Sequence, residues 1–62
     1  MEVWIARDMS GELAMFHERP TTYDVGAFEP DLIWTSVLGG EDIDPSLYPE
    51  ITFENSPKKV TL

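Results

Sequence analysis

One histidine, four serines, twelve Asp and Glu, and no cysteine make up the side chains of this 62-residue chain that could carry chemistry. His17 would need an orienting carboxylate and a nucleophile to act as a general base. Its neighbour Glu18 falls on the opposite face if the segment is a strand, so His17 reads as a partly exposed strand-end residue. Ser10, Ser36, Ser46 and Ser56 sit in turn or strand contexts, and none lies in the strand-to-helix elbow of a serine nucleophile. The run GGEDID at 39–44 has an Asp42-x-Asp44 spacing like the start of a calcium loop. Pro45 stands where further ligands should follow, and the glycine and closing glutamate of an EF-hand loop are missing. Asp44 before Pro45 reads instead as the cap of a turn. Paired carboxylates for glycoside cleavage need a sugar-sized cleft between them, which so short a chain hardly encloses. Gly39-Gly40 lacks the lysine and helix of a phosphate loop. The expectation is therefore a protein that is not an enzyme and holds no cofactor and no metal.

Charge is the most lopsided property. Four Lys and Arg against twelve acids give a net charge of −8, and between Pro20 and Pro57 there are eight acids and no Lys or Arg. Such a surface repels phosphates, because nucleic-acid binding depends on clustered cations that release counterions. It suits a basic protein partner, since complementary potentials speed encounter and suppress wrong partners; the acidic partner surface would comprise Glu41, Asp42 and Asp44. A second use of the same charge is imitation of nucleic acid by a phage-type inhibitor that occupies a basic cleft. The plain alternative is that net charge keeps a small protein soluble. The absence of cysteine points to a reducing compartment. MEVWIARDM has neither the basic n-region nor the apolar run of a secretory signal, and no membrane span is visible. The location expected is cytoplasmic.

These side chains must be positioned by short strands. Glu2 to Arg7 is rich in Val, Trp and Ile and ends in DMSG, where Asp8 suits the first position of a type I turn and Gly11 the left-handed position after it. Glu12 to Glu18 is the return strand of that hairpin. Pairing Asp8 with Glu12 sets Arg7 opposite Leu13, Ala6 opposite Ala14, Ile5 opposite Met15, Trp4 opposite Phe16 and Val3 opposite His17. One face then carries Trp4, Ala6, Ala14 and Phe16, the other Val3, Ile5, Leu13 and Met15, so both are apolar where a half-solvated hairpin would alternate.

Residues 19 to 31, RPTTYDVGAFEPD, keep no regular period and read as a long connection whose Tyr23, Val25 and Phe28 lie across one hairpin face as a lid. LIWTSVL at 32–38 is a further strand, ended by Gly39-Gly40. A single helical turn is predicted at Pro45 to Tyr48, a strand at 50–54 and an edge strand in KKVTL, whose lysines discourage pairing with another chain. The fold class expected is mainly β, with a small α+β variant open: one domain over 1–62, with an N-terminal β-hairpin, two or three further short strands and one short helical turn near 45–48.

Seven aromatics in so small a chain serve either as core or as a recognition surface. The doubly apolar strands argue that some of them, with Trp4, Phe16, Tyr23, Phe28 and Trp34 as the interface candidates, meet a second subunit. A chain too short for a large core and without cysteine for disulfides gains most from such a partner, and a two-fold homodimer is the commonest form. The reading is a small acidic interaction or accessory protein that acts as a homo-oligomer.

The segments WIARD, G-x-L at 11–13, RP at 19–20, PSLYPEITFENSP and the closing V-x-L resemble short uncharacterised reading frames of gut bacteria and their phages or mobile elements. The resemblance covers residues 3 to 20 and 43 to 62. It implies a bacterial cytosol and a phage or mobile-element setting, and transfers no functional residue.

Overall fold

The computed structural model describes every residue from Met1 to Leu62. It has six strands and no helix: β1 (Glu2–Arg7), β2 (Leu13–Phe16), β3 (Thr21–Asp24), β4 (Leu32–Thr35), β5 (Glu41–Ile43) and β6 (Lys58–Thr61). Four form an antiparallel sheet in the order β5-β2-β1-β6, and β3 pairs with β4 in a second, two-stranded sheet. No helix is long and apolar enough to cross a membrane.

Turn chemistry sets the first hairpin. Gly11 donates its N–H to the Asp8 carbonyl (2.9 Å) and Asp8 donates to that of Glu12 (2.8 Å). Gly11 has a φ of +98°, where any side chain would be strained. The resulting register pairs Arg7 with Leu13, Ala6 with Ala14, Ile5 with Met15 and Trp4 with Phe16, as the sequence predicts. Strand β6 adds Val60 opposite Val3, and β5 adds Ile43 opposite Leu13.

Both hairpin faces are covered from within the chain. On the first, Val3, Ile5, Leu13 and Ile51 are buried together, with Met15, Ile43, Tyr48 and Val60 around them. Each fully buried aliphatic side chain stabilises the fold by about 1.5–3 kcal/mol. Arg7 anchors the covering segment. Its Nε donates to Ile51 O (2.6 Å), Nη1 to Gly11 O (2.8 Å) and Pro45 O (3.1 Å), and Nη2 to Leu47 O (3.1 Å) and Tyr48 O (3.2 Å).

This anchoring explains why the helical turn expected at Pro45–Tyr48 does not form. Asp44 does cap the segment, its Oδ1 accepting from the N–H (2.9 Å) and Oγ (2.8 Å) of Ser46, and Leu47 N–H reaches Asp44 O. The carbonyls of Pro45, Leu47 and Tyr48 then turn toward the guanidinium, and Tyr48 takes a φ of +49°, so one β-turn ends the structure. The strand expected at 50–54 is also absent. Asn55 Oδ1 accepts from Thr52 N–H (2.8 Å) and Asn55 Nδ2 donates to Glu50 O (2.9 Å), local bonds that compete with a ladder.

On the second face Ala6 and Phe16 are buried. A Cβ on Gly40 would lie 2.7 Å from Phe16 Cδ1, so the glycine backbone rests on that ring. Trp34 donates its indole N–H to Arg7 O (3.1 Å) and its ring lies 6.2 Å, centroid to centroid, from Phe53. Covering therefore comes from β4 and the chain after it, and not from the expected lid. Tyr23, Val25 and Phe28 are 62%, 50% and 101% exposed.

Candidate functional site

Exposed apolar side chains occur at both chain ends (Met1, Leu62), at Met9 and Leu47, after β4 at Val37 and Leu38, and on the β3–β4 arm, which carries the exposed aromatics Tyr23 and Phe28 together with Val25. Tyr23 pairs with Ile33 and Thr21 with Thr35, and the connecting loop is closed by Val25 N–H on Asp31 O (3.0 Å). Asp24 shapes that loop, its Oδ1 accepting from Gly26 N–H (2.9 Å) and Asp31 N–H (3.1 Å). These two bonds hold the Asp24 carboxyl below the ordinary carboxylate range. Every residue from Thr21 to Asp31 is exposed.

The arm is fastened along one edge only. Met9 N–H donates to Leu32 O (3.2 Å), Leu32 N–H to Met9 Sδ (3.3 Å) and Trp34 N–H to Asp8 Oδ1 (3.0 Å). The tip of the first hairpin thus takes the outer side of β4, and β3 has no neighbour on its own outer side.

Beside this junction is a cleft of about 260 Å³ lined by Asp8, Glu12 and Asp42 together with Phe16, Ile33 and Trp34. Burial pushes the Asp8 carboxyl up; the Trp34 N–H opposes the rise, and the negative charges of Asp42 and Asp31 add to it. No three His, Asp or Glu side chains converge as a metal site requires.

The five aromatic candidates separate into three environments. Phe16 is core. Trp34 is half-buried at the arm junction and Trp4 is half-buried with Arg19 (5.2 Å) and Lys59 (5.5 Å) over its ring. Tyr23 and Phe28 alone stand in the open, on the arm. Nor do the three acids form one patch. Asp42 pairs with Ala14 and Glu41 with Met15, which places them on opposite faces, while Asp44 is spent on the Ser46 cap and is held below the ordinary carboxylate range by it. The sequence reading missed β3 and the acids Asp8 and Glu12; a signal for the acids was their place at the two ends of the DMSG turn. His17 is exposed.

Three of the four cations are occupied. Arg7 spends its guanidinium on carbonyls, Arg19 and Lys59 lie over Trp4, and the one ion pair is Lys59 with Glu2 (3.6 Å). The acids of residues 20–57 stand without internal compensation. No protein family, curated protein or solved structure matches the chain.

Proposed function

We propose that this chain is a small acidic protein-binding module whose binding element is the arm at 21–35. The observation that carries the reading is the exposure of Tyr23 on a two-stranded sheet and of Val25 and Phe28 in the loop that joins its strands. Two strands alone are marginally stable in water, and large side chains held out at such a place fit the aromatic anchors of an interface. A homodimer is the second way to cover the arm, opposed by the −8 that each copy carries. The setting proposed is the bacterial cytosol, on the lack of cysteine and the resemblance of the chain's two ends.

Imitation of nucleic-acid charge is the other reading, favoured by the occupied state of Arg7, Arg19 and Lys59. It predicts that duplex DNA displaces the chain from a basic cleft, and a bound partner without a basic patch excludes it.

A photo-crosslinking residue at position 28, set against the same residue at position 61, tests the main reading in cells that carry the gene. Adducts from position 28 and none from 61 support it; adducts at twice the 7.0 kDa chain mass identify the homodimer. Equal adducts from both positions, or none from 28, overturn it.

A further inference from the structure

We propose that the outer edge of β3 receives an extended segment of a basic protein as an added strand, with Lys or Arg alternating with apolar residues along that segment. The proposal rests on the arm being the binding element and specifies how it binds and what.

Three strands have an unpaired side: β3, β5 and β6. Strand β6 carries Lys58 and Lys59, the side chains that most often keep an edge from pairing. Strand β5 is three residues long, two of them acidic. Strand β3 reads Thr-Thr-Tyr-Asp, rich in residues that favour strands and without lysine or proline inside it. Of the three, β3 alone has no lysine and a single acid, at its end, and it lies next to the exposed aromatics.

The backbone geometry of that edge follows from its neighbours. Leu32 and Trp34 direct their N–H groups to the Asp8–Met9 turn, so Ile33 and Thr35 are the β4 residues that bond to β3. Their partners are Tyr23 and Thr21. By the alternation of an antiparallel ladder, Thr22 and Asp24 then present their N–H and C=O groups outward. Two such residues set the minimum for strand addition, in which main-chain bonds give affinity and alternate side-chain positions give specificity.

Charge selects the occupant. Asp24, Glu29 and Asp31 are exposed on the arm, and no Lys or Arg occurs between Pro20 and Pro57. Arg19, just before β3, lies over Trp4. An incoming strand beside Thr22 and Asp24 places its alternate residues next to Asp24 and next to Tyr23 in turn, which asks for a cation at one and an apolar group at the other. A second copy of this chain offers Asp24 again and a further −8.

Amide hydrogen exchange read by NMR on the whole chain tests this, with the peptides Lys-Val-Lys-Val-Lys-Val-Lys and Glu-Val-Glu-Val-Glu-Val-Glu as probes. The lysine peptide is expected to slow the Thr22 and Asp24 amides by at least about tenfold at saturation, in a salt-sensitive manner, and the glutamate peptide to leave them unchanged. Thr22→Pro removes the outward N–H at a position where an edge strand tolerates proline; the protection at Asp24 should be lost while the Trp34 signals stay in place. Protection by both peptides or by neither overturns the proposal. So does protection that grows with protein concentration alone, which assigns the edge to a second copy. Shifts at Phe28 with Thr22 and Asp24 still exchanging freely overturn strand addition and leave the arm as the binding element; if neither peptide moves any arm signal, photo-crosslinking at position 28 decides that separately.

Discussion

The indole N–H of Trp34 donates to the backbone carbonyl of Arg7 at 3.1 Å, on the residue whose guanidinium holds the segment covering the opposite face of the sheet. Arg7 is therefore the point where both covering layers are attached to β1. Its N–H is used as well, donating to Ser56 Oγ at 2.9 Å. The core of this chain has four clustered buried residues, so polar anchoring of its layers carries an unusual share of the specificity of the fold.

Replacing Trp34 with Phe keeps an aromatic ring and removes the donor. The Arg7 carbonyl then loses a partner in a half-buried place, which costs about 1–3 kcal/mol. A chain this size has roughly 3–9 kcal/mol in total, so the urea midpoint should fall clearly. An unchanged midpoint would show that water satisfies the carbonyl and that the indole bond is not an anchor.

Arg7→Lys keeps the charge and loses the fork. An ammonium has three donors on a flexible stem where the guanidinium supplies five, and several of the carbonyls of Gly11, Pro45, Leu47, Tyr48 and Ile51 are left without it. The expected loss is about 2–4 kcal/mol. The amides of 47–51 should lose exchange protection before those of β1 and β2, and uniform loss across the chain would argue against a local anchor.

The parts of the fold that the sequence revealed are those fixed by local chemistry. Asp8 and Gly11 define the first turn, and a turn fixes the register of its strands; the lysines of β6 marked an edge. The parts that it hid are decided by distant contacts. Thr21–Asp24 is a strand because Ile33 and Thr35 pair with it, and Glu41–Ile43 because β2 does; by themselves both read as turn-rich connections. The segment after Asp44 had a sound helix cap, but a guanidinium thirty-eight positions earlier, at Arg7, claims the Pro45 carbonyl. At the candidate site the sequence offered Tyr23 and Phe28 both as a lid and as two of five interface aromatics; that they stand apart from Trp4, Phe16 and Trp34 follows from the arm, which no local pattern announced.

Two glycines separate strain from crowding. Gly11 has φ +98° with no atom within 4 Å of a built Cβ, whereas a Cβ on Gly40 would press into the ring of Phe16. Gly11→Ala should therefore cost about 1 kcal/mol through backbone conformation, and Gly40→Ala about 1–3 kcal/mol through overpacking. Combining Gly40→Ala with Phe16→Leu should recover part of the second loss and none of the first, as thermal melts of the four variants would read. Recovery by Phe16→Leu in the Gly11 background would show that the two sites are not independent.

Asp8 and Asp24 should give opposite pH responses. The Asp8 carboxyl is raised above 3.8, chiefly by burial, so the folded chain holds that proton more tightly than the unfolded one. Its ionisation then opposes folding at neutral pH, and the opposition fades as pH falls through the raised pKa toward 3.8. Asp24 is lowered below 3.8 by the amides of Asp31 and Gly26; the stability it contributes is present above 3.8 and is lost as pH falls through its lowered pKa. Asp8→Asn keeps the acceptor for Trp34 N–H and removes the charge, so at pH 7 it should raise the melting temperature, by an amount that solvent screening of this partly exposed group keeps small. The advantage over the parent chain should shrink as the pH approaches 4. A variant no more stable than the parent at pH 7, or one whose advantage grows on acidification, would mean that the Asp8 charge is not a cost to the fold and that its bond to Trp34 N–H depends on it.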